Sequence, residues 1–171
     1  LNVPDAANIA WNNFTSARPV SFINRGTFNK AGTDSVTDIS TPFENEGTVV
    51  VQAGELRLLE GSTQTGLLQV ETGGRLRFQG GNHTWNDGLA FAGAGELVVS
   101  RPITLAVPVN FGELKVTFDS AATVSGTFLI SNAPGGELHI NKTMTFPGDL
   151  NIGGLLLIAN NTHTVTVSGT L

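Results

Sequence analysis

The sequence predicts an all-β protein, specifically a right-handed parallel β-helix (a β-solenoid) of about eight or nine coils. Three observations lead to this fold class. A short glycine-led motif recurs at a mean spacing of about 19 residues, apolar and polar residues alternate within each copy, and Gly, Asn, Ser or Pro separates the copies. No stretch of ten residues shows the apolar stripe of an amphipathic helix.

The first repeat along the chain is seven residues long and occurs twice. Phe22–Phe28 reads FINRGTF, and 21 residues later Phe43–Val49 reads FENEGTV. Each copy is consistent with a short strand, a glycine turn and the start of a second strand. The two copies therefore predict two neighbouring coils in which like residues stack on like.

The main repeat is the pentapeptide Gly-x-Leu-x-apolar, which begins at residue 54. Its glycine and leucine positions are Gly54 and Leu56, Gly74 and Leu76, Gly95 and Leu97, Gly112 and Leu114, Gly136 and Leu138, and Gly153 and Leu155. Successive glycines, counting a truncated copy that starts at Gly169, are 20, 21, 17, 24, 17 and 16 residues apart. The alternation predicts a strand in each copy with its leucine facing the interior, and the glycine is expected at a corner with positive φ.

Further short strands are predicted between these copies. Apolar residues alternate there too, at Val49 and Val51, Leu68 and Val70, Leu89 and Phe91, Val107 and Val109, Phe128 and Ile130, Leu150 and Ile152, and Val165 and Val167. Such coils cannot bury their apolar face alone, so they stack over a continuous interior. Parallel crossover connections are nearly always right-handed, which predicts the hand of the solenoid. An antiparallel sandwich or barrel is the alternative fold, although it does not need the same pentapeptide at each step.

Alignment of the pentapeptides predicts a column of charges on the outer surface. Glu55 then lies beside Arg75, and Arg75 beside Glu96, so that opposite charges alternate from coil to coil. In the same alignment Glu113 follows Glu96 and interrupts the alternation.

One part of the repeat region resembles a known family. Within residues 43–100, Asn45–Leu56 reads NEGTVVVQAGEL and Gly80–Thr84 reads GGNHT. These segments resemble the repeats of bacterial autotransporter passengers and related haemagglutinin-like surface proteins, which typically read Asn-x-Gly-Thr-Val-x-Val-x-Ala-Gly-x-Leu before a glycine-rich turn. The resemblance implies a right-handed β-helix at a cell surface with a stalk or adhesive role, and it implies no particular ligand.

Composition excludes several classes of protein. The 171 residues are 40% hydrophobic and only 13% charged, which is unlike a disordered chain. A net charge of −5 argues against a nucleic-acid partner, and no apolar run is long enough to span a membrane. The absence of cysteine excludes disulfides and thiolate metal sites. Low charge with abundant Thr, Ser, Asn and Gly favours an extracellular or bacterial cell-surface protein.

The cluster that most resembles a binding site is His83, Trp85 and Asp87. An exposed Trp85 flanked by polar residues would stack on a sugar ring and hydrogen-bond its hydroxyl groups. The alternative places Trp85 inward on a short strand closed by an Asp87-Gly88 turn.

Catalytic and metal-binding patterns are not found. His83, His139 and His163 lack the spacing of metal ligands, the carboxylates are scattered, and no Ser-His-Asp or phosphate-loop motif occurs. We therefore expect no enzyme activity, cofactor or metal. A carbohydrate-binding or carbohydrate-active β-helix is the alternative, and it requires two carboxylates converging near Trp85 or Trp11.

Two threonine-rich segments suggest a third possibility. Thr143–Thr145 and Thr162–Thr166 are similar to the threonine arrays of ice-binding solenoids. Such arrays must repeat on every coil to make a flat face, and these two segments do not continue upstream in the sequence. Threonine on the surface of a strand is the simpler interpretation, and ice binding stays as a remote alternative.

The sequence therefore predicts a structural or adhesive solenoid segment, acting as a stalk or binding platform. Residues 1–171 are expected to form one domain internal to a longer surface protein, with residues 1–20 as a candidate N-terminal cap. An open edge near Leu171 is expected to pair with neighbouring coils or with another copy of the chain. A host surface or a polysaccharide is the expected ligand class, and this segment is not expected to insert into a membrane.

Overall fold

The chain forms a parallel β-solenoid, as the sequence predicts. The computed structural model describes residues 2–3, 8–10, 21–33, 35–119, 122–126, 129–160 and 162–171. These residues contain strands and turns and no helix. The strands are β1 (Asn2–Val3), β2 (Asn8–Ala10), β3 (Phe22–Asn24), β4 (Thr27–Lys30), β5 (Val36–Ser40), β6 (Phe43–Asn45), β7 (Thr48–Val51), β8 (Gly54–Leu58), β9 (Ser62–Gln64), β10 (Leu67–Val70), β11 (Gly74–Phe78), β12 (His83–Trp85), β13 (Ala90–Ala92), β14 (Glu96–Val99), β15 (Pro102–Leu105), β16 (Val109–Asn110), β17 (Lys115–Phe118), β18 (Thr123–Ser125), β19 (Ile130–Asn132), β20 (Glu137–Ile140), β21 (Met144–Phe146), β22 (Leu150–Ile152), β23 (Leu155–Ile158) and β24 (Val165–Val167).

Each coil contributes one strand to each of three faces. Face A is the sheet β1-β4-β7-β10-β13, continued by β16-β19-β22, and face B is the sheet β2-β5-β8-β11-β14-β17-β20-β23. Face C is the sheet β3-β6-β9-β12-β15-β18, beside which the pair β21-β24 packs. Pairing is parallel within the sheets of each face, since successive strands of one face come from successive coils.

The 24 described strands, three to a coil, make eight stacked layers, or about seven full turns from the first layer to the last, in agreement with the predicted eight or nine coils. Paired residues in adjacent coils are separated by 21 positions at Phe22 and Phe43, by 19 at Val36 and Glu55, and by 20 at Gly54 and Gly74. Most coils are thus longer than the 19-residue mean spacing of the motif. With strands roughly 4.8 Å apart, the eight layers span on the order of 30 Å.

The seven-residue repeat behaves as predicted. Phe22 pairs with Phe43, and Thr27 pairs with Thr48, so the two copies lie directly above one another. Their aromatic rings meet in the interior, where the centroids of Phe22 and Phe43 are 5.4 Å apart. Contact between like side chains is therefore what the repeat encodes.

Five of the six pentapeptide leucines are buried as predicted, and four of them also share one register on face B. Leu56, Leu76, Leu97 and Leu138 are at most 1% exposed. Leu56 pairs with Leu76, and Leu76 with Leu97, so the first three copies are in register along face B.

The copy at Gly112 is two residues out of register. Val116, not Leu114, pairs with Leu97, and it is Val116 that pairs with Leu138 in the next coil. Leu114 is buried, one position before the strand that starts at Lys115, where the preceding coil has Gly95. The prediction that this copy forms a strand in register with the others was therefore wrong, whereas the prediction that Leu114 faces the interior is confirmed.

The copy at Gly153 is one residue out of register. Leu156 pairs with Leu138, and Leu155 pairs with Glu137 at an outward position. Leu155 is 50% exposed, so the prediction that it faces the interior was wrong. Two consecutive glycines precede this strand, and the structure uses the second, Gly154, in the place of Gly136. Glycine pairs of this kind leave the register ambiguous from sequence alone.

The glycines serve two different purposes. Gly54 has a φ of 70°, the left-handed conformation expected at a corner. Gly74 does not, and its reason is close approach: a Cβ there would overlap the carbonyl oxygen of Val51 in the preceding coil. Positive φ explains only part of the repeat, and contact between stacked corners explains the rest.

The interior is one continuous apolar cluster that runs from Phe28 to Leu150. Its centre is aromatic: the ring of Trp85 lies 5.4 Å from that of Phe78, 5.3 Å from that of Phe91 and 6.0 Å from that of Phe111. These rings come from different faces and coils, so they tie the three sheets together across the interior.

Polar side chains also enter the interior near the first corners. Asn24 donates to the side-chain oxygen of Asn45 at 2.8 Å, making a two-step amide ladder between stacked coils. Lys30 is fully buried and donates to the carbonyl of Gly32 at 2.8 Å, the hydroxyl of Ser35 at 2.9 Å and the carbonyl of Ala53 at 3.2 Å. These bonds hold the chain at Gly32 and Ser35 against the next coil.

The two ends of the chain continue the sheets. β1 pairs with β4 and β2 pairs with β5, while most of residues 1–20, where a cap is predicted, lie outside the described residues. At the other end β24 pairs with β21, Val165 and Val167 are half-buried, and Leu171 is 80% exposed. No helix or loop among the described residues covers this last coil.

Candidate functional site

The predicted cluster of His83, Trp85 and Asp87 does not form a surface site. His83 and Trp85 are fully buried at the inward positions of β12, and only Asp87 is exposed. Asp87 belongs to a turn in which Leu89 donates to the carbonyl of Asn86 at 3.2 Å and Gly88 has a φ of 91°. The hypothesis of an exposed, sugar-stacking Trp85 was therefore wrong, and the inward alternative is confirmed.

His83 is instead a titratable group in the apolar interior. Its Nδ1 lies 2.8 Å from the Ser62 hydroxyl, and its ring meets the edge of Phe78 with centroids 4.8 Å apart. Its Nε2 has no hydrogen-bond partner among the described residues. Burial lowers the pKa of His83 to about 4, because the interior disfavours the charged imidazolium.

The three histidines lie in separate environments. His139 is outward on face B and its Nε2 lies 2.7 Å from the Glu137 carboxylate, while His163 precedes β24. Among the described residues no group of three His, Asp or Glu side chains could hold a metal ion. Trp11, which the carbohydrate alternative also invokes, lies outside the described residues.

A shallow groove of about 500 Å³ follows the corner between faces A and B. Corner glycines and the first outward side chains of face B line it, namely Gly54, Gly74, Gly95, Glu55, Arg75 and Glu96. The missing side chains of the glycines open the groove, and the stacking of the coils makes it run along the solenoid axis.

The charged column beside this groove alternates more regularly than predicted. Glu96 pairs with Lys115, not with Glu113, because the strand of that coil begins two residues later than the motif suggests. The Nε of Arg75 donates to Glu96 at 2.6 Å, and the Nζ of Lys115 lies 3.7 Å from the same carboxylate. The predicted interruption was wrong, and opposite charges alternate from Glu55 to Glu137.

Face C carries a second regular column, made of hydroxyl side chains. Thr63 pairs with Thr84, Thr84 with Thr104, and Thr104 with Ser125. The hydroxyl of Ser125 donates to that of Thr104 at 3.0 Å, so neighbouring members touch. The expectation that threonines do not continue upstream was wrong.

The column continues beyond β18. β21 packs beside β18, and Thr145 is the outward residue of β21. Thr145 pairs with Thr166 in the last coil. The signal was present in the sequence as hydroxyl residues 20 or 21 positions apart, and it is visible once the chain is written in rows of that length.

Comparison with known proteins finds no relative that could assign a function. No family model, no curated protein and no solved structure matches the chain. Within the described residues, no helix is long and apolar enough to cross a membrane.

Proposed function

We propose that this chain is a structural solenoid segment of a secreted or cell-surface protein, where it serves as a stalk and as a platform for binding. The observation that carries the proposal is the single apolar cluster running through all the stacked coils. A stack of this kind holds its outer side chains in fixed rows, which suits a rigid spacer with repetitive binding surfaces. No enzymatic step is part of the proposal.

Display at the cell surface is tested on intact cells of the organism that encodes the chain. An antibody against residues 21–171 is expected to label them, and externally added protease is expected to remove the label while a cytosolic marker survives. Labelling that appears only after the cells are lysed would contradict the proposal.

A second candidate, polysaccharide binding, is favoured by the corner groove. The groove is elongated, floored by glycine backbone and bordered by Glu55, Arg75 and Glu96, which offer hydrogen bonds to sugar hydroxyls. Glu55 and Glu96 are two strands apart, about 9.6 Å along the axis. Each is engaged by a cation, Glu55 by Arg77 at 2.7 Å and Glu96 by Arg75, so we propose binding without cleavage.

A panel of polysaccharides tests this second candidate. Binding is expected to fall in the Arg75→Gln variant, which alters the groove, and to persist in Glu44→Gln, which alters an outward position on face C. Equal loss in the two variants, or release of free sugar from any substrate, would contradict it.

A further inference from the structure

Face C presents its hydroxyl groups as a lattice in two dimensions. Along the solenoid axis the column from Thr63 to Ser125 repeats once per strand, a spacing of roughly 4.8 Å. In the last three coils a second row lies two residues before the first, since Thr123, Thr143 and Thr164 are also exposed. Two residues along a strand span roughly 6.6 Å.

The second row is aligned between coils. The amide of Thr164 donates to the hydroxyl of Thr143 at 3.1 Å, which places these two side by side just as Thr145 is paired with Thr166. Four threonines of two adjacent coils thus form the corners of one cell of the lattice. Threonine is branched at Cβ and has few χ1 states on a strand, so these positions are ordered before any partner arrives.

The chemistry of this face differs from that of face B, and its outward rows are richer in hydroxyl groups than those of face A, where Val50, Leu67 and Gln69 face outward. The outward positions of β9, β12, β15, β18, β21 and β24 contain neither a charged nor an aromatic side chain. Charges are concentrated on face B, where Asp38, Arg57, Arg75, Arg77 and Glu96 face outward. From β9 to β24, face C therefore offers rows of methyl and hydroxyl groups only, apart from Pro102, whereas its first two strands carry Ile23 and Glu44 at their outward positions.

These properties narrow the class of partner. A flexible peptide or soluble sugar is usually held in a concave site by a few convergent groups, whereas this face is the outer surface of a parallel sheet with evenly spaced side chains. A regularly repeating face complements a solid that repeats in two dimensions. The pyranose faces of a crystalline polysaccharide stack on aromatic rings, which face C lacks. Ordered water requires what this face has, namely hydroxyl groups to join its hydrogen bonds and methyl groups between which water forms a cage.

We propose that face C from Thr63 to Thr166 binds the surface of ice. The inference rests on the proposed role of the solenoid as a rigid platform and names the partner of one of its faces. A charged side chain on this face would hold its own hydration shell and disturb the ordered water. The same charge on another face would have no such effect.

Adsorption of the full 171-residue chain to a slowly growing ice front tests the proposal. We expect the wild-type chain to be enriched in the ice and to produce thermal hysteresis, and Thr104→Lys and Thr145→Lys to reduce both to the level of a non-binding protein. Asn151→Lys adds the same charge at an exposed outward position on face A and is expected to leave both unchanged.

Circular dichroism and small-angle scattering on each variant show whether the chain is a folded, elongated solenoid. They therefore distinguish a failure of ice binding from a failure of the proposed rigid scaffold. A folded rod that is excluded from ice would overturn ice binding while leaving the proposed scaffold intact. Equal effects of Asn151→Lys and Thr145→Lys would also overturn it. Retention of the wild-type chain on crystalline cellulose or chitin, lost in the face C variants, would overturn it in favour of a solid polysaccharide.

Discussion

Ser62 and His83 are a polar pair stacked in the interior of the solenoid. Their strands are adjacent on face C, and the next inward pair, Gln64 and Trp85, is also fully buried. The only charged side chain among the described buried residues is Lys30, on β4, two coils away. The interior around His83 thus has no carboxylate to stabilise a positive charge, and protonation opposes the fold.

We predict that His83 makes the chain sensitive to mild acid. Its pKa is about 4 in the folded state against 6.5 as the ordinary value, so the stability it supports is complete above pH 6.5 and is lost as the pH falls towards 4. The loss amounts to at most about 3 kcal/mol in the free energy of unfolding. Denaturant unfolding measured between pH 7 and pH 4 checks this.

The matched control removes both members of the pair. A Ser62→Ala, His83→Leu double variant leaves neither polar group unpaired. Its free energy of unfolding is expected to change less between pH 7 and pH 4 than that of the wild-type chain. A NMR titration of His83 that gives a pKa near 6.5 would contradict the prediction.

Lys30 is a buried charge whose ammonium group donates hydrogen bonds to acceptors in its own coil and in the next. Replacing it by Met keeps most of the aliphatic volume but leaves the carbonyls of Gly32 and Ala53 without their donor. We predict a loss of about 2–3 kcal/mol in the free energy of unfolding. Lys142→Met is the comparison, because Lys142 is half-buried and donates to one carbonyl, that of Ala122; a cost as large as that of Lys30→Met would contradict the prediction.

At the level of elements, the turns between faces C and A show why glycine recurs. Gly26, Gly47 and Gly66 occupy the same place in three successive coils, since each precedes a strand of face A. A Cβ on Gly47 would overlap the carbonyl oxygen of Gly26, and one on Gly66 would overlap that of Gly47. A Cβ on Gly26 would meet nothing within 4 Å.

This difference gives a prediction with an internal control. Gly47→Ala is expected to cost about 2–3 kcal/mol in the free energy of unfolding, because the overlap is with backbone that cannot move independently of its coil. Gly26→Ala is expected to stay within about 0.5 kcal/mol of the wild-type chain. Thermal and denaturant unfolding of the two variants measure these free energies. Equal losses in Gly47→Ala and Gly26→Ala would show that contact between stacked turns is not the reason for glycine at these positions.

The predictable part of the structure is the part encoded by alternation. Period-two patterns located the strands and the inward Leu56, Leu76, Leu97 and Leu138, because alternation alone decides which face a residue takes. The register of two copies was missed because turns vary in length, and a sequence motif such as Gly112–Leu114 can recur inside a turn. The upstream part of the threonine column was missed for the opposite reason: Thr63, Thr84 and Thr104 belong to no sequence motif and become neighbours only because the coils stack.

Trp85 shows the limit of reading function from residue type. Tryptophan between polar residues suggested a sugar-binding surface, yet the alternation within His83–Trp85 places both aromatic side chains inward. Different parts of the solenoid thus carry different side chains. Aromatic groups lie in the interior, paired charges lie on face B, and hydroxyl groups lie on face C from β9 onward. The candidate surfaces are properties of the whole stack and of no single motif.

At the scale of the whole molecule, each coil is stabilised mainly by its two neighbours. Central coils are covered on both sides, and their inward residues Leu76 and Leu97 are at most 1% exposed. In the last coil of this chain Val165 and Val167 are only half-buried, and β24 has a partner on one side, β21, among the described strands. Local stability is therefore expected to decline from the centre of the stack towards this coil.

Hydrogen exchange of the 171-residue chain checks this last prediction. Amides of β11 and β14 are expected to exchange on the order of 100-fold or more slowly than those of β24, because opening the last coil exposes one interface and opening a central coil exposes two. Leu76→Ala should lower the protection of β8, β11 and β14 together, since their interiors share that leucine and its cavity costs about 2–5 kcal/mol. Uniform protection from β8 to β24 would instead mean that the solenoid opens only as a whole, and the nearest-neighbour description would be wrong.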